Sequence, residues 1–506
     1  MAVSFLACQS AKPWRQPVDG QQERSSWKRE RSQQMVDIAL HRNRGALMPV
    51  WLENFFPILI LLAVVSVVIV RLPRIELGHS LSFRRRRVMN WLPLGLLYAF
   101  LYMGRYNLNV AKRAFGTVMD NEAFAIIFGV GTLVYGVSFI INGPLTDRIG
   151  GRKAILIGGA GAAVMNIIMG VVTYLEYTHH IITVFSVLYA GNMYFQSFGA
   201  VAIVKVNAPW FHVQERGVFG AIFGILISLG IYFAYDWGGA IANAFPTEWV
   251  FFVPAAILTL LGLVVAAVVR DSPAEAGLKN FDTADASSGD DGPRLSSRAV
   301  FKLMLANGVI MTIAFIEFCS GFIRQAIMQW YPIFTKQTAA VKPFVSEHWG
   351  ILLCAAGILG GVVAGIISDR VFNARRGPVA ALLYGVLLLG AIVMTFVYKT
   401  DLLGPLAILM SMAVIGVHGM LSGTASMDFG GTKNVGTAVG IIDGFVYAGT
   451  GVMSLTFAVI LPTGDAAKVV DNYWAWPVAM IPVALIGLYL ATRIWNAKPK
   501  GKAAAH

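Results

Sequence analysis

Gly143-Pro144-Leu145-Thr146-Asp147-Arg148-Ile149-Gly150-Gly151-Arg152-Lys153 follows one apolar span. A worn copy, Gly365-Ile366-Ile367-Ser368-Asp369-Arg370-Val371-Phe372-Asn373-Ala374-Arg375-Arg376, follows another, 222 positions later. Two further marks repeat at nearly this offset. Arg105 and Arg324, each inside an apolar span, lie 219 apart, as do Gly217 and Gly436, which each open a later span. A polytopic membrane chain made of two copies of one unit is most economically a carrier with its binding site between the copies. The expected fold class is an all-α membrane protein of two six-helix bundles, twelve spans in all, with one extra hydrophobic helix at the N-terminus.

Composition agrees. With 57% hydrophobic residues, 13% charged residues and a mean hydropathy of +0.65, the chain does not read as a soluble enzyme. Apolar stretches of about 20 residues, enough to cross roughly 30 Å of hydrocarbon, recur after residue 90. They cover approximately 91–111, 122–142, 154–174, 181–206, 217–244, 247–269, 301–331, 348–368, 378–398, 402–426, 436–461 and 473–495. A further stretch, Trp51–Val70, lies upstream. The net charge of +13 orients the chain rather than binding nucleic acid. With Arg84-Arg85-Arg86-Arg87 in the cytoplasm and the twelve spans alternating, Arg148, Arg152, Lys153, Arg216, Arg270, Arg370, Arg375, Arg376, Lys433 and Arg493 all fall on the same side. That asymmetry is the positive-inside rule, and it puts the C-terminus in the cytoplasm of a bacterial inner membrane.

Six segments follow. Residues 1–47 form a basic tail with too few apolar residues to drive folding, and 48–83 hold the extra hydrophobic stretch. Residues 84–270 form the first bundle, 271–300 a linker rich in Ser, Gly and Asp toward its end, 301–496 the second bundle, and 497–506 a tail. If Trp51–Val70 spans, the basic tail lies outside, against the charge rule. Either translation begins at Met48, or the stretch lies along the inner surface or serves as an uncleaved insertion signal. Small residues at helical spacing mark the fifth span (Gly220, Gly224, Ser228), the eighth (Gly357, Gly361, Gly365) and the eleventh (Gly436, Gly440, Gly444). They read as close packing within a bundle or as sliding surfaces between rocking halves.

The Gly143–Lys153 loop, with the twelve-span count, resembles the signature loop after the second helix of the major facilitator superfamily, and the resemblance covers Arg84 to about Asn496. Shorter stretches are similar to the organophosphate:phosphate antiporters of that superfamily. They include Arg105-Tyr106-Asn107, Phe195-Gln196-Ser197-Phe198-Gly199, and Lys205 with Trp210, Glu215, Arg216 and Gly217. The Asp271–Gly277 turn, Arg324 with Trp330 and Pro332, and Asp369-Arg370-Val371-Phe372 extend the match. The resemblance implies that Arg105 and Arg324 meet near the midplane and bind a phosphate group. It also implies carriage of an organophosphate in exchange for inorganic phosphate. Physics points to the same pair. A charge inside a span costs ~2.5–3.5 kcal/mol on insertion scales, and a guanidinium presents a planar fork to an oxyanion. The alternative is an ion pair with an intramembrane acid, Asp236, Glu317, Asp428 or Asp443.

The chain also departs from that pattern. Tyr106 stands where the family has lysine, Cys354 where it has the acid that pairs with it, and Phe139 where it has a second lysine. Ala200-Val201-Ala202 replaces a Trp-Pro-Pro stretch, and Pro209 replaces a histidine. A less basic site leaves a carboxylate as an alternative substrate. A membrane sensor of a sugar phosphate is the alternative from another class.

Tyr102, Tyr106 and Asn109 flank Arg105 at helical spacing, as substrate contacts or as packing. His418, Asp428 and Asp443 are candidates for proton coupling or for structural pairing. Asp147, Arg148, Arg152, Lys205, Asp369 and Arg370 are expected to stabilise one state of the transport cycle as gate parts. Two unpaired arginines in a dry cavity would hinder return of an empty carrier, so obligatory exchange is expected. Three cysteines, Cys8, Cys319 and Cys354, give no metal-ligand spacing. With no phosphate-binding loop, HExxH or GxSxG motif, no metal, cofactor or enzymatic activity is expected. The expected partners are a small anion and the lipid bilayer, with the chain a monomer.

Overall fold

In the computed structural model the described residues are 78–497, apart from 178–179, 213–215, 284–295 and 373–374. Side chains at 113, 117, 216–223, 366, 369–370, 424 and 427–432 also lie outside the description. The tail 1–47, the stretch Trp51–Val70, the far end of the expected linker and the C-terminal tail therefore fall outside it.

Local signals start and stop the first helices. Ser80 Oγ accepts the Phe83 N–H at 3.2 Å and starts α1, Leu81–Phe115. Asp120 Oδ1 accepts the Ala123 N–H at 2.8 Å and starts α2, Asn121–Ile149. Such caps contribute about 1 kcal/mol each. α2 stops at Gly150, whose φ of +89° suits glycine, and α3, Gly151–Tyr174, begins at once. The Gly-Gly pair of the signature is thus a helix reversal. Asp271 lies behind it and accepts the Arg152 N–H at 2.7 Å.

The chain continues through α4 (Ile181–Trp210), α5 (Gly224–Ala244) and α6 (Trp249–Val268). The second half comprises α7 (Gly308–Thr338), α8 (Trp349–Ile366), α9 (Arg376–Val397), α10 (Leu403–Gly423), α11 (Ser426–Ile460) and α12 (Ala475–Arg493). All twelve expected stretches fall on helices. Among the described residues, ten helices are long and apolar enough to cross a membrane. Trp349–Gly365 is a shorter apolar helix, and the remaining stretch lies on α1, whose hydropathy is lowered by its basic start and Arg105. Asp428, expected in the tenth span, lies on α11. A short helix, Ser297–Ala306, capped by Ser296, already begins inside the stretch expected to be linker.

Helices of each half pack mainly on one another: α1 on α5 and α6, α3 on α4 and α6, α7 on α11 and α12, α9 on α12. Two seams join the halves, α2 against α11 and α5 against α8. Large apolar residues such as Val137, Leu263, Phe396 and Val459 are exposed on the outside of the bundle, where lipid would meet them. Among the described residues, three π-helical stretches interrupt the spans: Phe233–Trp237, Ile367–Val371 and Gly419–Ala425. Such stretches are rare and often sit at functional sites. Here they carry Asp236, the Asp369–Arg370 pair and Ser422.

Candidate functional site

Arg105 is held by a polar scaffold built within the first half. Its Nε donates to Gln196 Oε1 at 3.0 Å and its Nη2 to the Tyr135 hydroxyl at 2.5 Å. Gln196 Nε2 donates to Asn192 Oδ1 at 3.1 Å, and Asn192 receives the Asn166 amide at 3.1 Å. Asn166 in turn accepts from Asn107 at 2.5 Å. Four helices thereby fix one guanidinium, because each polar group inside an apolar span must find a partner. The third donor crosses the seam: Arg105 Nη1 reaches the Tyr447 hydroxyl of α11 at 2.9 Å. The rings of Tyr102 and Tyr135 lie 4.4 and 4.6 Å from the guanidinium carbon, within cation–π range. Among the described residues the hydrogen-bond partners of Arg105 are Gln196, Tyr135 and Tyr447, and none is a carboxylate.

Arg324 is different. Its guanidinium carbon stands 5.7 Å from the Tyr447 ring centre, against 5.6 Å for Arg105, so the two arginines share one ring. Arg324 is 4% exposed, yet its Nε and Nη2 have no hydrogen-bond partner among the described residues. A buried guanidinium without partners carries a large desolvation penalty, and an arriving oxyanion would relieve it.

The residues that follow the two arginines are also repeat mates, and they touch: Gln325 Nε2 donates to the Tyr106 hydroxyl at 2.6 Å. A contact between residues 219 apart in a chain that repeats at 219 places the internal two-fold axis between them. Tyr106 also stacks on Tyr235 at 5.7 Å. Asn109 donates to the Tyr235 hydroxyl at 3.2 Å, one layer away from the arginines. Of the expected substrate contacts, Arg105, Arg324, Tyr102 and Tyr106 are brought together, while Asn109 is placed beside them through Tyr235.

Sequence reasoning missed Tyr135, Tyr447 and Gln325. The signal was present as polar groups in apolar spans, one of them next to Arg324, but tyrosine in a span is more often packing than ligand.

Toward the basic end of the bundle, some of the residues expected as gate parts meet. Lys205 Nζ donates to Asp147 Oδ1 at 2.6 Å and crosses the seam to the Lys433 carbonyl at 3.1 Å. Asp147 accepts from the Gly436 N–H at 3.3 Å and from the Thr437 N–H and hydroxyl at 2.9 and 3.0 Å. The ion pair is mostly covered, at 15% and 12% exposure. Arg152 donates from its side chain to the Ala266 carbonyl, tying α3 to α6. Burial pushes the Asp271 carboxyl above its ordinary range, against the downward pull of the Arg152 N–H. Arg148 is exposed on this face. Asp369, Arg370 and Asp428 have side chains outside the described set.

The seam above Asp147 is built from paired glycines. A Cβ on Gly143 would stand 3.1 Å from the Gly440 Cα, and one on Gly440 would stand 2.5 Å from the Phe139 carbonyl oxygen. The expected small residues of α11 therefore form a surface between the halves, and α2 supplies their partners. In the other seam Gly357 meets Ser228, while Gly224, Gly361 and Gly365 meet nothing within 4 Å.

At the opposite end one corner is closed by an amide pair, Asn121 with Gln337, at 2.9 and 2.8 Å. The Tyr473 hydroxyl joins it at 2.6 Å. Beside α5 and α8, however, a cleft of about 620 Å³ opens at this end, lined by Tyr235, Asp236, Lys336, Glu347 and Trp349 among others. Its inner wall, Tyr235, is the residue that touches Tyr106 and Asn109. A cleft of about 590 Å³, lined by Asp147, Arg152, Lys205 and Lys433 among others, opens at the basic end as well, so both ends are indented, and the cleft at the opposite end reaches to within one aromatic layer of the arginines.

His418 and Asp443, expected as coupling groups, form a buried cluster near Arg324. His418 Nδ1 lies 2.9 Å from Glu317 Oε2, and Ser422 donates to Asp443. Among the described residues no group of three or more His, Cys, Asp or Glu side chains is arranged to hold a metal.

The Major Facilitator Superfamily profile matches residues 94–454. The glycerol-3-phosphate transporter of Bacillus subtilis is 26% identical over 395 residues, covering 73% of this chain and 84% of the relative. The membrane sensor protein UhpC of Salmonella typhimurium is 25% identical, with 76% and 87% covered. The probable hexose phosphate transport protein of Chlamydia trachomatis is also 25% identical, with 82% and 92% covered. Among solved structures, the fucose:proton symporter FucP of E. coli superposes with a TM-score of 0.57 at 12% identity, over 80% of this chain and 99% of that one. A duplicated span pattern, paired arginines, a latched signature loop and these matches lead to one conclusion: the chain belongs to the Major Facilitator Superfamily and is similar to its organophosphate carriers.

Proposed function

We propose that this protein is a secondary carrier that moves a small organophosphate across the membrane by alternating access, in exchange for inorganic phosphate. The observation that supports it most is the asymmetry between two repeat-related arginines. Arg105 has a hydrogen bond from each of its three side-chain nitrogens, whereas Arg324 is buried with two nitrogens that find no partner among the described residues. A phosphoryl group between them would receive a charge-assisted fork from Arg324 and draw the halves together across Tyr447. The relatives named above, a glycerol-phosphate and a hexose-phosphate carrier, favour a phosphate ester over a carboxylate. Buried amide atoms without partners, on Asn109, Gln325 and Gln329, are available to the ester's hydroxyl groups.

In this reading the basic end, with Asp147, Lys205 and Arg152, faces the cytoplasm, as do Arg84–Arg87 and the C-terminus. The chain works as a monomer in a bacterial inner membrane. It transforms nothing chemically, and the gradients of its two substrates drive it. Residues 271–300 join two halves that rock.

Exchange of labelled inorganic phosphate in proteoliposomes, challenged with glycerol 3-phosphate and with hexose phosphates, tests the proposal. One ester should block exchange saturably. Arg324→Lys keeps the charge but loses the fork. It should cut exchange roughly ten- to a hundredfold, since a hydrogen bond to a charged group contributes about 1.5–3 kcal/mol. Full exchange in that variant removes the central argument. Saturable binding of the ester without exchange would instead make the chain a sensor.

A further inference from the structure

We infer that Gln329, with Asn109 and Gln325, forms a subsite for the organic part of the ester, selective for hydroxyl groups against a carboxylate or a bare alkyl chain. This rests on the reading that Arg105 and Arg324 bind the phosphoryl group.

The subsite follows from where α7 breaks. Its first piece ends at Met328 and its second starts at Trp330, with Gln329 between them. Pro332 has no N–H, so the Met328 carbonyl four residues earlier receives no helical donor. Two side chains supply one instead: the Trp349 indole of α8 at 3.0 Å and the Tyr235 hydroxyl of α5 at 3.4 Å. Tyr235 has then given away its one hydrogen, so the Asn109 amide meets that hydroxyl with its N–H, at 3.2 Å. The Asn109 oxygen is left over. A chain of two hydrogen bonds thus runs from Asn109 on α1 to the Met328–Gln329 peptide on α7.

Gln329 stands one helical turn beyond Gln325 on the same face of α7. Gln325 shows where that face looks, because its Nε2 donates to the Tyr106 hydroxyl of α1. Asn109 stands one turn beyond Tyr106. Asn109 and Gln329 therefore form the next layer after the contact on the internal two-fold axis, on the side away from the basic end.

All three amides are buried. Among the described residues, Asn109 Oδ1, Gln325 Oε1 and both Oε1 and Nε2 of Gln329 have no hydrogen-bond partner. Three open acceptors stand beside one open donor. Such groups are costly inside an apolar span until a ligand satisfies them. Hydroxyl groups fit, because each donates one hydrogen and accepts another. A carboxylate only accepts, and would set its charge against three amide oxygens. An alkyl chain would leave all four atoms unsatisfied. The phosphoryl group takes the arginines, and the ester's carbon chain extends from them toward Tyr235, the inner wall of the cleft beside α5 and α8.

The test compares three competitors of labelled phosphate exchange in proteoliposomes containing the full chain. Glycerol 3-phosphate, 3-phosphoglycerate and propyl phosphate share a three-carbon skeleton. The first carries two hydroxyl groups, the second one hydroxyl and a carboxylate, the third neither. In the wild type, glycerol 3-phosphate should block exchange at a concentration about tenfold or more below the other two, since buried polar groups left unpaired reject an analogue. Gln329→Leu should bring glycerol 3-phosphate and propyl phosphate to within about threefold of each other. Gln329→Asn, which keeps the amide on a shorter stem, should fall between. Each ratio is taken within one protein, so a general loss of rate cancels. An undiminished preference in Gln329→Leu overturns the assignment. If that variant exchanges too little phosphate to read, Asn109→Leu carries the same expectation, and an undiminished preference there overturns it too. A wild type that exchanges phosphate and is blocked equally by all three compounds overturns this inference and leaves the exchange reading standing. A wild type that exchanges no phosphate overturns both.

Discussion

At the scale of single residues, the two arginines have different tasks, and Tyr447 connects them. Its hydroxyl accepts from Arg105 while its ring lies beside both guanidiniums. Tyr447→Phe keeps the ring and removes one acceptor from a buried cation, which costs about 1–3 kcal/mol when that donor goes unsatisfied. We expect exchange to fall by roughly one order of magnitude with little change in expression. An unchanged apparent affinity for phosphate would mean that Tyr447 packs but does not position. Arg105 and Arg324 were legible in the sequence because a charge in an apolar span needs a reason. Gln196, Asn192 and Asn166 were not, because an amide in a span announces only that it has some partner, not which one.

At the scale of helices, the seam between α2 and α11 permits almost no side chain. Gly136, Gly143 and Gly440 bring backbone against backbone, so a Cβ there meets main-chain atoms rather than a flexible chain that could yield, while one on Gly444 meets the Ile140 side chain first. Gly440→Val should therefore prevent this seam from closing at the basic end, at a cost of about 1–3 kcal/mol to the state described here. A cysteine introduced at Thr437 in that background should react faster with a membrane-impermeant maleimide applied from the basic side. Equal labelling with and without the valine would show that the seam tolerates bulk. The sequence displayed small residues on the eleventh span but left open whether they pack within a bundle or between halves. Only the partner surface on α2 decides that, and its glycines lie within the signature stretch and just before it. The twelve helices themselves were legible from length and apolarity, and their joints were not. The π-helical stretches at Phe233–Trp237 and Gly419–Ala425 leave no mark in composition.

At the scale of the whole molecule, Asp147 ties the two halves together at the basic end. Asp147 bonds to Lys205 in its own half and to Gly436 and Thr437 in the other. Asp147→Asn keeps the shape and removes the charge that pairs with the partly buried Lys205. A loss of about 1–3 kcal/mol in one state shifts a two-state balance roughly five- to a hundredfold. Spin labels placed across the basic end of α2 and α11 should then report longer distances in the variant than in the parent. Identical distance distributions would relegate Asp147 to a stabilising role in both states. The contact between Tyr106 and Gln325 has a different bearing. It joins the halves on their own symmetry axis, beside the arginines, and so lies at the fulcrum of any seesaw between them. Points far from a fulcrum travel and points on it stay, so a ligand seated there meets the same atoms whichever side has admitted it. Direction is then dictated by supply on the two sides of the membrane, and the protein itself has no forward or reverse.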